Sequence, residues 1–532
     1  FSHAAELTVV ILDFLLLGYF FWQGFLHKNK LVFILALLGI TLLAAAEWNV
    51  PNEDSFSLII DEFSKLMFLI INIVGGVIVL YALKYIEYEN ISSFRKKLFI
   101  AYLLVFLSIM NLIVSANNIL LFFFLFELTA LASYLLIGFR KDEISTKNSL
   151  LALWMNQLGG VAILIGALLS EFFFKTISFD LLLLQKNEFA LIVVSFLVMA
   201  AFIKGAMLPF DKWLLGAMVA PTPVSAMLHS ATMVKIAPFM ILKLSPLLAG
   251  SLLGLTTAIF SGFVFLAASY FALSRDIFKE ILGYSTIAML ALMILMASIG
   301  TTESLYIAMI LMVFHAISKA LLFLTAGVLE KNLQIKKISQ MGGLINAARL
   351  SVFFIVIGFI SLVLPPFGAF MGKVFAIESV TKELGLNIWF ILPLLALTIG
   401  SVVMTLLYFK ITSSILSKNQ EASSKEKIDF GFLIPLVLLL IFLFVTGFAF
   451  FKTDANFKIY LFALPLFFIL LVLFFLYKIP LKYKTAREYH CAESERFEAG
   501  NFYFELDENI VKKIYLFFTL FFVGFIFFGV LS

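Results

Sequence analysis

Long apolar runs, separated by short polar breaks, dominate the chain. A membrane-crossing helix needs about 20 consecutive apolar residues. On that rule the pattern predicts about sixteen spans: 6–26, 31–47, 59–84, 97–114, 117–138, 147–170, 189–208, 221–246, 249–273, 281–299, 303–329, 350–377, 386–411, 431–451, 457–477 and 511–531. The breaks include HKNK, SANN, GFRKDE and GTTES. The runs are too long and too unalternating for a membrane β-barrel. The fold class expected is therefore an all-α polytopic membrane protein of about 14–16 transmembrane helices.

Two spans carry helix breakers. AFIKGAMLPF (201–210) places Gly205 and Pro209 just after Lys204, and SLVLPPFGAFMGKVF (361–375) places Pro365 and Pro366 before Lys373. Backbone groups freed at membrane depth are tolerated only inside protein or beside water. Paired broken helices point to inverted repeats around an ion site near the midplane. The spacing suits two five-helix repeats, 97–246 and 249–411. They would follow N-terminal helices in 1–96 and precede C-terminal helices in 412–477, with a last span in 511–532. The intervening 478–510 is charged and aromatic, and reads equally as an amphipathic surface element or a solvated loop.

Composition sharpens the class. Of 532 residues, 63% are hydrophobic and 13% charged, well outside the range of soluble domains. Lysine and arginine cluster in the loops after odd-numbered spans (Arg95–Lys97, Arg140 and Lys141, Lys336 and Lys337), while SANN and GTTES are bare. By the positive-inside rule the odd loops lie in the cytoplasm and both termini outside, in a cytoplasmic (inner) membrane. The net charge of +5 reflects those loops and does not point to nucleic acid. One cysteine, Cys491, excludes a disulfide framework and a cysteine-held cluster in this chain. No phosphate-binding loop or dinucleotide fingerprint occurs. The run 6–26 is too long for a cleaved signal peptide and is read as the first span.

Ionisable groups inside spans are costly and mark ion paths by default. The set singled out is Glu127, Lys204, His229, Lys235, His315, Lys319 and Lys373. Glu127 is the mid-span carboxylate of the first repeat, and Lys204 its natural partner. Together they make either a switchable proton site or a static pair locking two helices. His229 and Lys235 do not share a helix face, but Thr232, three residues from each, could bridge them. The alternative is a core histidine and a lysine reaching for the interface. His315 and Lys319, four apart, do share a face and suit a hydrated relay, or else pack two helices. Lys373 has only Glu378 near it in sequence. Lys65, Lys243 and Lys410 lie near span ends and are expected to snorkel. The histidines are too scattered for a metal site.

The stretch KGAMLPFDKWLLGAMVAPTPVSAMLHSATMVKIAP (204–238) resembles the signature of proton-translocating antiporter-like subunits. These are the large membrane subunits of respiratory complex I, of energy-converting membrane-bound hydrogenases and of Mrp-type sodium/proton antiporters. FHAISKALLFLTAGVLE and DEFSKLMFLIINIVGGVIVLYALKYIEY are similar to the same family, and the likeness covers about 55–410. The resemblance implies fourteen core helices with two inverted repeats, each with a broken helix. It places Glu127 and Lys204 at the family's carboxylate–lysine pair, His229 and Lys235 on the following helix, His315 and Lys319 at its relay, and Lys373 on the second broken helix, where members carry lysine or glutamate. It implies no cofactor in this chain. Iron–sulfur clusters and nickel–iron or flavin groups would reside in partner subunits, other membrane subunits joined to a peripheral redox arm. YHCAESE resembles the tail of hydrogenase-type members, so the expected assembly is of the hydrogenase branch, with complex I or a Mrp antiporter as alternatives. In each, the chain translocates H⁺, Na⁺ or both across the lipid bilayer without covalent chemistry.

Overall fold

The computed structural model describes residues 3–49, 57–363, 367–417, 426–453 and 508–531. Helices α1 (His3–Leu26) and α2 (Lys30–Asn49) form a hairpin. One π-helical turn, Ile70–Val74, joins α3 (Glu62–Leu69) to α4 (Gly75–Glu87). Next come α5 (Ser93–Ile113), α6 (Ile119–Ile137), α7 (Glu143–Phe174), the short α8 (Phe179–Leu183) and α9 (Glu188–Lys204). Short α10 (Lys212–Gly216) and α11 (Thr222–Ala226) precede α12 (Ile236–Leu248), α13 (Leu252–Ser274), α14 (Phe278–Ile299) and α15 (Thr302–Leu333). The chain continues through α16 (Leu344–Ala347), α17 (Arg349–Val363), α18 (Gly368–Leu384), α19 (Ile391–Leu416), α20 (Phe430–Thr453) and α21 (Glu508–Leu531).

The polar breaks prove to be helix caps. Asn118 of SANN accepts from the backbone N–H of Leu120 and Leu121, Asp142 of GFRKDE from Ser145, Ser251 from Gly254, and Thr301 of GTTES from Ser304. Each supplies an acceptor to amides that a helix start leaves open. Gly300, at φ 76°, ends α14 in the left-handed conformation that glycine adopts without cost. Among the described residues there is no strand, only isolated bridges such as Asn118 with Ser178.

Thirteen stretches among the described residues are long and apolar enough to cross a membrane. The expected span 189–208 falls short because α9 stops after 17 residues, at Lys204. The expected span 457–477 and the segment 478–510 lie outside the described residues, save 508–510. The expected single helix 221–246 is corrected. A π-helical turn (Met227–Ala231), a non-helical Thr232 (φ −125°, ψ −108°) and a 3-10 turn (Met233–Lys235) separate α11 from α12. The expected span 350–377 is likewise two helices, α17 and α18; Pro365 and Pro366 lie outside the described residues.

Burial orders the helices. The apolar window of α14 is buried along its whole length, and that of Thr222–Leu248 nearly so, while α1, α2 and α20 bury only about a third of theirs. Helices apolar all round but buried form the protein's centre; those left open meet lipid, which is as apolar as they are. The polar residues of the candidate site sit on the central helices.

Candidate ion-translocation site

The first centre lies where α6, α7 and α9 meet. Helix α9 ends at Lys204 because Gly205 follows, and Gly205 is required there: a Cβ would come within 2.8 Å of the Ala237 side chain. The carbonyls freed by this break are covered. Trp213 Nε1 donates to the Ile203 oxygen at 2.9 Å, and Met207 N to that of Phe202 at 2.9 Å. The Lys204 ammonium, fully buried, donates to the Phe126 carbonyl at 3.3 Å and sits 3.7 Å above the Phe126 ring centroid. That placement combines a hydrogen bond with the attraction of a cation to a ring face.

Glu127 is the next residue, buried, with its carboxylate laid on the backbone of α7 at Gly160. The expected partners Glu127 and Lys204 do lie near each other, though not in direct contact. The two groups are within Coulombic range, but lysine's hydrogen bond goes to the Phe126 carbonyl, and Glu127 Oε2 has no partner. Geometry explains it: a lysine leaving the last turn of α9 reaches the main chain of α6 before it reaches the carboxylate.

The second centre surrounds the irregular segment between α11 and α12. Lys235 Nζ lies 2.8 Å from His315 Nδ1 of α15. One turn on, Lys319 donates to Ser285 Oγ at 2.5 Å and to the Leu282 carbonyl at 3.0 Å, both on α14. The His229 ring packs 4.7 Å from that of Phe323 and faces the Leu214 carbonyl. His229, Lys235 and Lys319 all lie within Coulombic range of His315, so the structure brings these four predicted residues together. Thr232 does not bridge them: its hydroxyl donates to the Met227 carbonyl at 2.7 Å, consistent with a chain that leaves helical geometry there. π turns of this kind recur at functional positions because they re-aim side chains.

Lys373 lies on α18, which packs directly against α15. Ser361 donates to Ser318 Oγ at 2.6 Å, and Lys373 Nζ donates to the adjacent Leu362 carbonyl at 2.9 Å. Its expected neighbour Glu378 instead pairs with Lys382 at 3.3 Å. Lys243 does not snorkel; it is buried and donates to the Ala116 carbonyl at 3.2 Å. Lys410, half-buried, reaches the Leu273 and Arg275 carbonyls at the end of α13, as expected of a lysine at a span end. Lys65 is exposed and paired with Glu62.

Lysine is thus held chiefly by main-chain carbonyls. A carbonyl accepts a hydrogen bond from either an ammonium or a neutral amine, so such a lysine keeps its place when its charge changes. A carboxylate partner at contact distance would fix the charge instead. The arrangement is suited to carrying a transferable proton between α9 and α18.

An ionic network closes the lysine- and arginine-rich end of these helices. Glu89 pairs with Lys331 at 2.9 Å and Arg140 at 3.3 Å, and Arg140 also donates to the Val219 carbonyl at 3.1 Å. Lys279 joins Glu330 at 2.6 Å and Thr222 at 2.9 Å. Burial alone would raise the Glu89 carboxyl, but the hydrogen bond and charge of Lys331, with Arg140, outweigh it and hold Glu89 below the usual glutamate value.

Several residues here were not expected. Asp13, buried in α1, has one carboxylate oxygen without a partner and feels the charge of Glu127. The same mid-span rule that selects Glu127 selects it. Asn156 and Gln157 on α7, Ser285, Ser318 and Ser361 carry no sequence signal, since uncharged polar residues are common in spans. Tyr515 of α21 donates to buried Asp211 at 2.5 Å, just beyond the α9 break. Among the described residues, no three or more His, Cys, Asp or Glu gather as a metal site.

Known proteins share this architecture. The family model described as NADH:quinone oxidoreductase/Mrp antiporter, transmembrane, matches residues 116–400. The Na(+)/H(+) antiporter subunit A1 of Staphylococcus aureus, from two strains, is 30% identical over 363 residues, covering 64% of this chain. The matched stretch spans 45% of those relatives, under half their length. A chain of the Mrp complex from a Dietzia species has the same fold, with a TM-score of 0.63 at 17% identity over 83% of this chain and 93% of that one. The break at Lys204, the lysines and histidines of α15 and the irregular segment before α12 all fall inside the matched stretch; the chain belongs to the NADH:quinone oxidoreductase/Mrp antiporter transmembrane family.

Proposed function

We propose that this chain is an ion-translocating subunit of a Mrp-type sodium/proton antiporter assembly. The observation that carries the reading is the 2.8 Å contact of Lys235 with His315, set between two lysines, Lys204 and Lys373, that each rest on a carbonyl beside a helix break. In this reading Glu127 biases the charge of Lys204. A proton then passes between the α9 break and Lys373 through His229, Lys235, His315 and Lys319, with water between them. Imidazole beside an amine suits the middle step, because either nitrogen can hold the shared proton. The two breaks would belong to inverted repeats over 97–246 and 249–411, and the basic loops would face the cytoplasm.

Two things support the Mrp setting over the hydrogenase branch that the YHCAESE tail suggests. The curated relatives are Na(+)/H(+) antiporter subunits, and the fold match comes from a Mrp complex. Partners would then be other membrane subunits, without a redox arm. Extraction of the native assembly in mild detergent tests this. An iron-free set of membrane subunits is expected; co-eluting iron–sulfur proteins would move the chain to the redox branch. In everted vesicles, Lys204→Met and Lys235→Met should each abolish sodium-driven proton movement while the assembly persists. Undiminished transport in both refutes the path.

A further inference from the structure

Beside the lysine path, α1, α6 and α7 enclose Glu127 together with polar groups that the path does not use. Asp13 is 3% exposed, Glu127 1%, Asn156 0% and Gln157 2%. Asp13 Oδ1, Glu127 Oε2, Asn156 Oδ1 and both polar atoms of the Gln157 amide have no hydrogen-bond partner. A buried unpartnered polar atom is costly, and several in one region call for a ligand.

Their placement converges. Helix α6 packs on α7 at adjacent glycines: a Cβ on Gly159 would lie 2.9 Å from the Phe126 ring, and one on Gly160 only 1.8 Å from Glu127 Oε1. Asn156 lies three and four residues before these glycines, and Gln157 three before Gly160, so both share the face that meets Glu127. The Asn156 amide nitrogen already donates to the Ala152 carbonyl at 2.7 Å, which leaves its oxygen to face a ligand. Helix α1 packs against α6, and Asp13 lies within Coulombic range of Glu127. Asp13 and Glu127 therefore share a low-dielectric region with one ammonium, Lys204, whose hydrogen bond goes elsewhere, and Glu47 of α2 lies within Coulombic range of Asp13.

We propose that Asp13, Glu127, Asn156 and Gln157 form a binding site for a small monovalent cation, sodium. All four offer hard oxygen donors, which suit an alkali cation and not a transition metal. A cavity of about 580 Å³ opens at the basic end, lined by Gln23, Tyr134 and Ser149 together with Arg95 and Lys141, and the Tyr134 hydroxyl donates to Gln23 at 2.9 Å. Tyr134 lies two helical turns from Glu127 on α6, and Ser149 two turns from Asn156 on α7, so the cavity floor ends about 10 Å along these helices from the site. The proposal deepens the antiporter reading and rests on it for its physiological meaning, but the binding itself is separately measurable.

The test uses the full chain with the subunits it retains in mild detergent. Thermal unfolding is followed in sodium chloride and in choline chloride at equal ionic strength. Sodium should raise the melting temperature of the wild type, in proportion to the logarithm of its concentration once the site is filled. Asp13→Asn and Gln157→Leu should each lose that rise. Equal melting in sodium and choline for the wild type overturns the site, even if neither variant folds. So does a full sodium-dependent rise in both variants. A sodium response that persists in Lys204→Met together with undiminished transport would sink the lysine path and leave the site standing. Loss of transport in Lys204→Met without any wild-type sodium response does the reverse.

Discussion

Gly160→Ala tests whether the position of the Glu127 carboxylate matters. The added Cβ would sit 1.8 Å from Glu127 Oε1, 2.9 Å from its Cδ and 3.1 Å from the Phe123 ring. Ordinary contact is about 3.5–4 Å between non-bonded atoms, so the carboxylate must retreat by about 1.7 Å or more. The displaced atom is the far end of a flexible side chain, and alanine is a better helix former than glycine by about 1 kcal/mol. The variant should therefore fold and assemble with a melting temperature near that of the wild type. Transport should not survive as well, because displacement of a reacting group by about 1 Å can cost on the order of 100-fold in rate. Sodium-driven proton uptake in everted vesicles, normalised to the assembled complex, reads the loss. Glu127→Asp in the same background shortens the side chain by one carbon–carbon bond, about 1.5 Å, and should recover part of the rate. Gly18→Ala is the control, since nothing lies within 4 Å of its Cβ position. Wild-type transport in Gly160→Ala, or no rescue by the shorter carboxylate, refutes the link between this close approach and function.

Other perturbations address separate contacts. His315→Ala removes the neighbour 2.8 Å from Lys235 and leaves that lysine buried; a loss of about 1–3 kcal/mol and of transport is expected, checked by thermal unfolding and vesicle assays. Tyr515→Phe deletes the donor to Asp211 at 2.5 Å and should loosen α21, read as faster cleavage by a protease while α1–α9 stay protected. Glu89, held below the usual glutamate value by Lys331 and Arg140 despite burial, stabilises the fold above its unfolded pKa of about 4.3. That contribution is lost as pH falls through its lower folded value. Glu89→Gln should melt lower than the wild type at pH 7, with the gap closing under acid; a gap that does not change with pH overturns this account.

Span number, the break after Lys204 and the identity of the buried lysines were legible in the sequence because each leaves a one-dimensional mark: apolar length, a glycine or proline, a charge out of place. Partners were not. Reading Thr232 as a bridge between His229 and Lys235 assumed a regular helix, although Pro238, in the first turn of α12, marks a helix that starts anew after Thr232. Pairing Glu127 with Lys204 assumed that opposite charges meet, whereas the nearest acceptor to Lys204 is a carbonyl, which every residue has. Lys243 looked like an interfacial lysine for the same reason: its acceptor, the Ala116 carbonyl, has no sequence signature. Asp13 stood in plain view in VVILDFLLLGYF, and its place opposite Glu127 depends on how α1 packs against α6, which spacing within α1 does not encode.

Because Lys204, Lys319 and Lys373 rest on the peptide oxygens of Phe126, Leu282 and Leu362, these acceptors are invisible to side-chain mutagenesis, since any residue at those three positions presents the same oxygen; only Lys319 has a side-chain acceptor besides, Ser285. The same peptide groups are spectroscopic handles. A ¹³C label in the backbone of Phe126, Leu282 or Leu362 isolates one amide vibration, and its frequency tracks the strength of the hydrogen bond it accepts. Charge-assisted bonds are roughly twice as strong as neutral ones, so each label would report, lysine by lysine and in the unmutated protein, when a proton arrives and when it leaves.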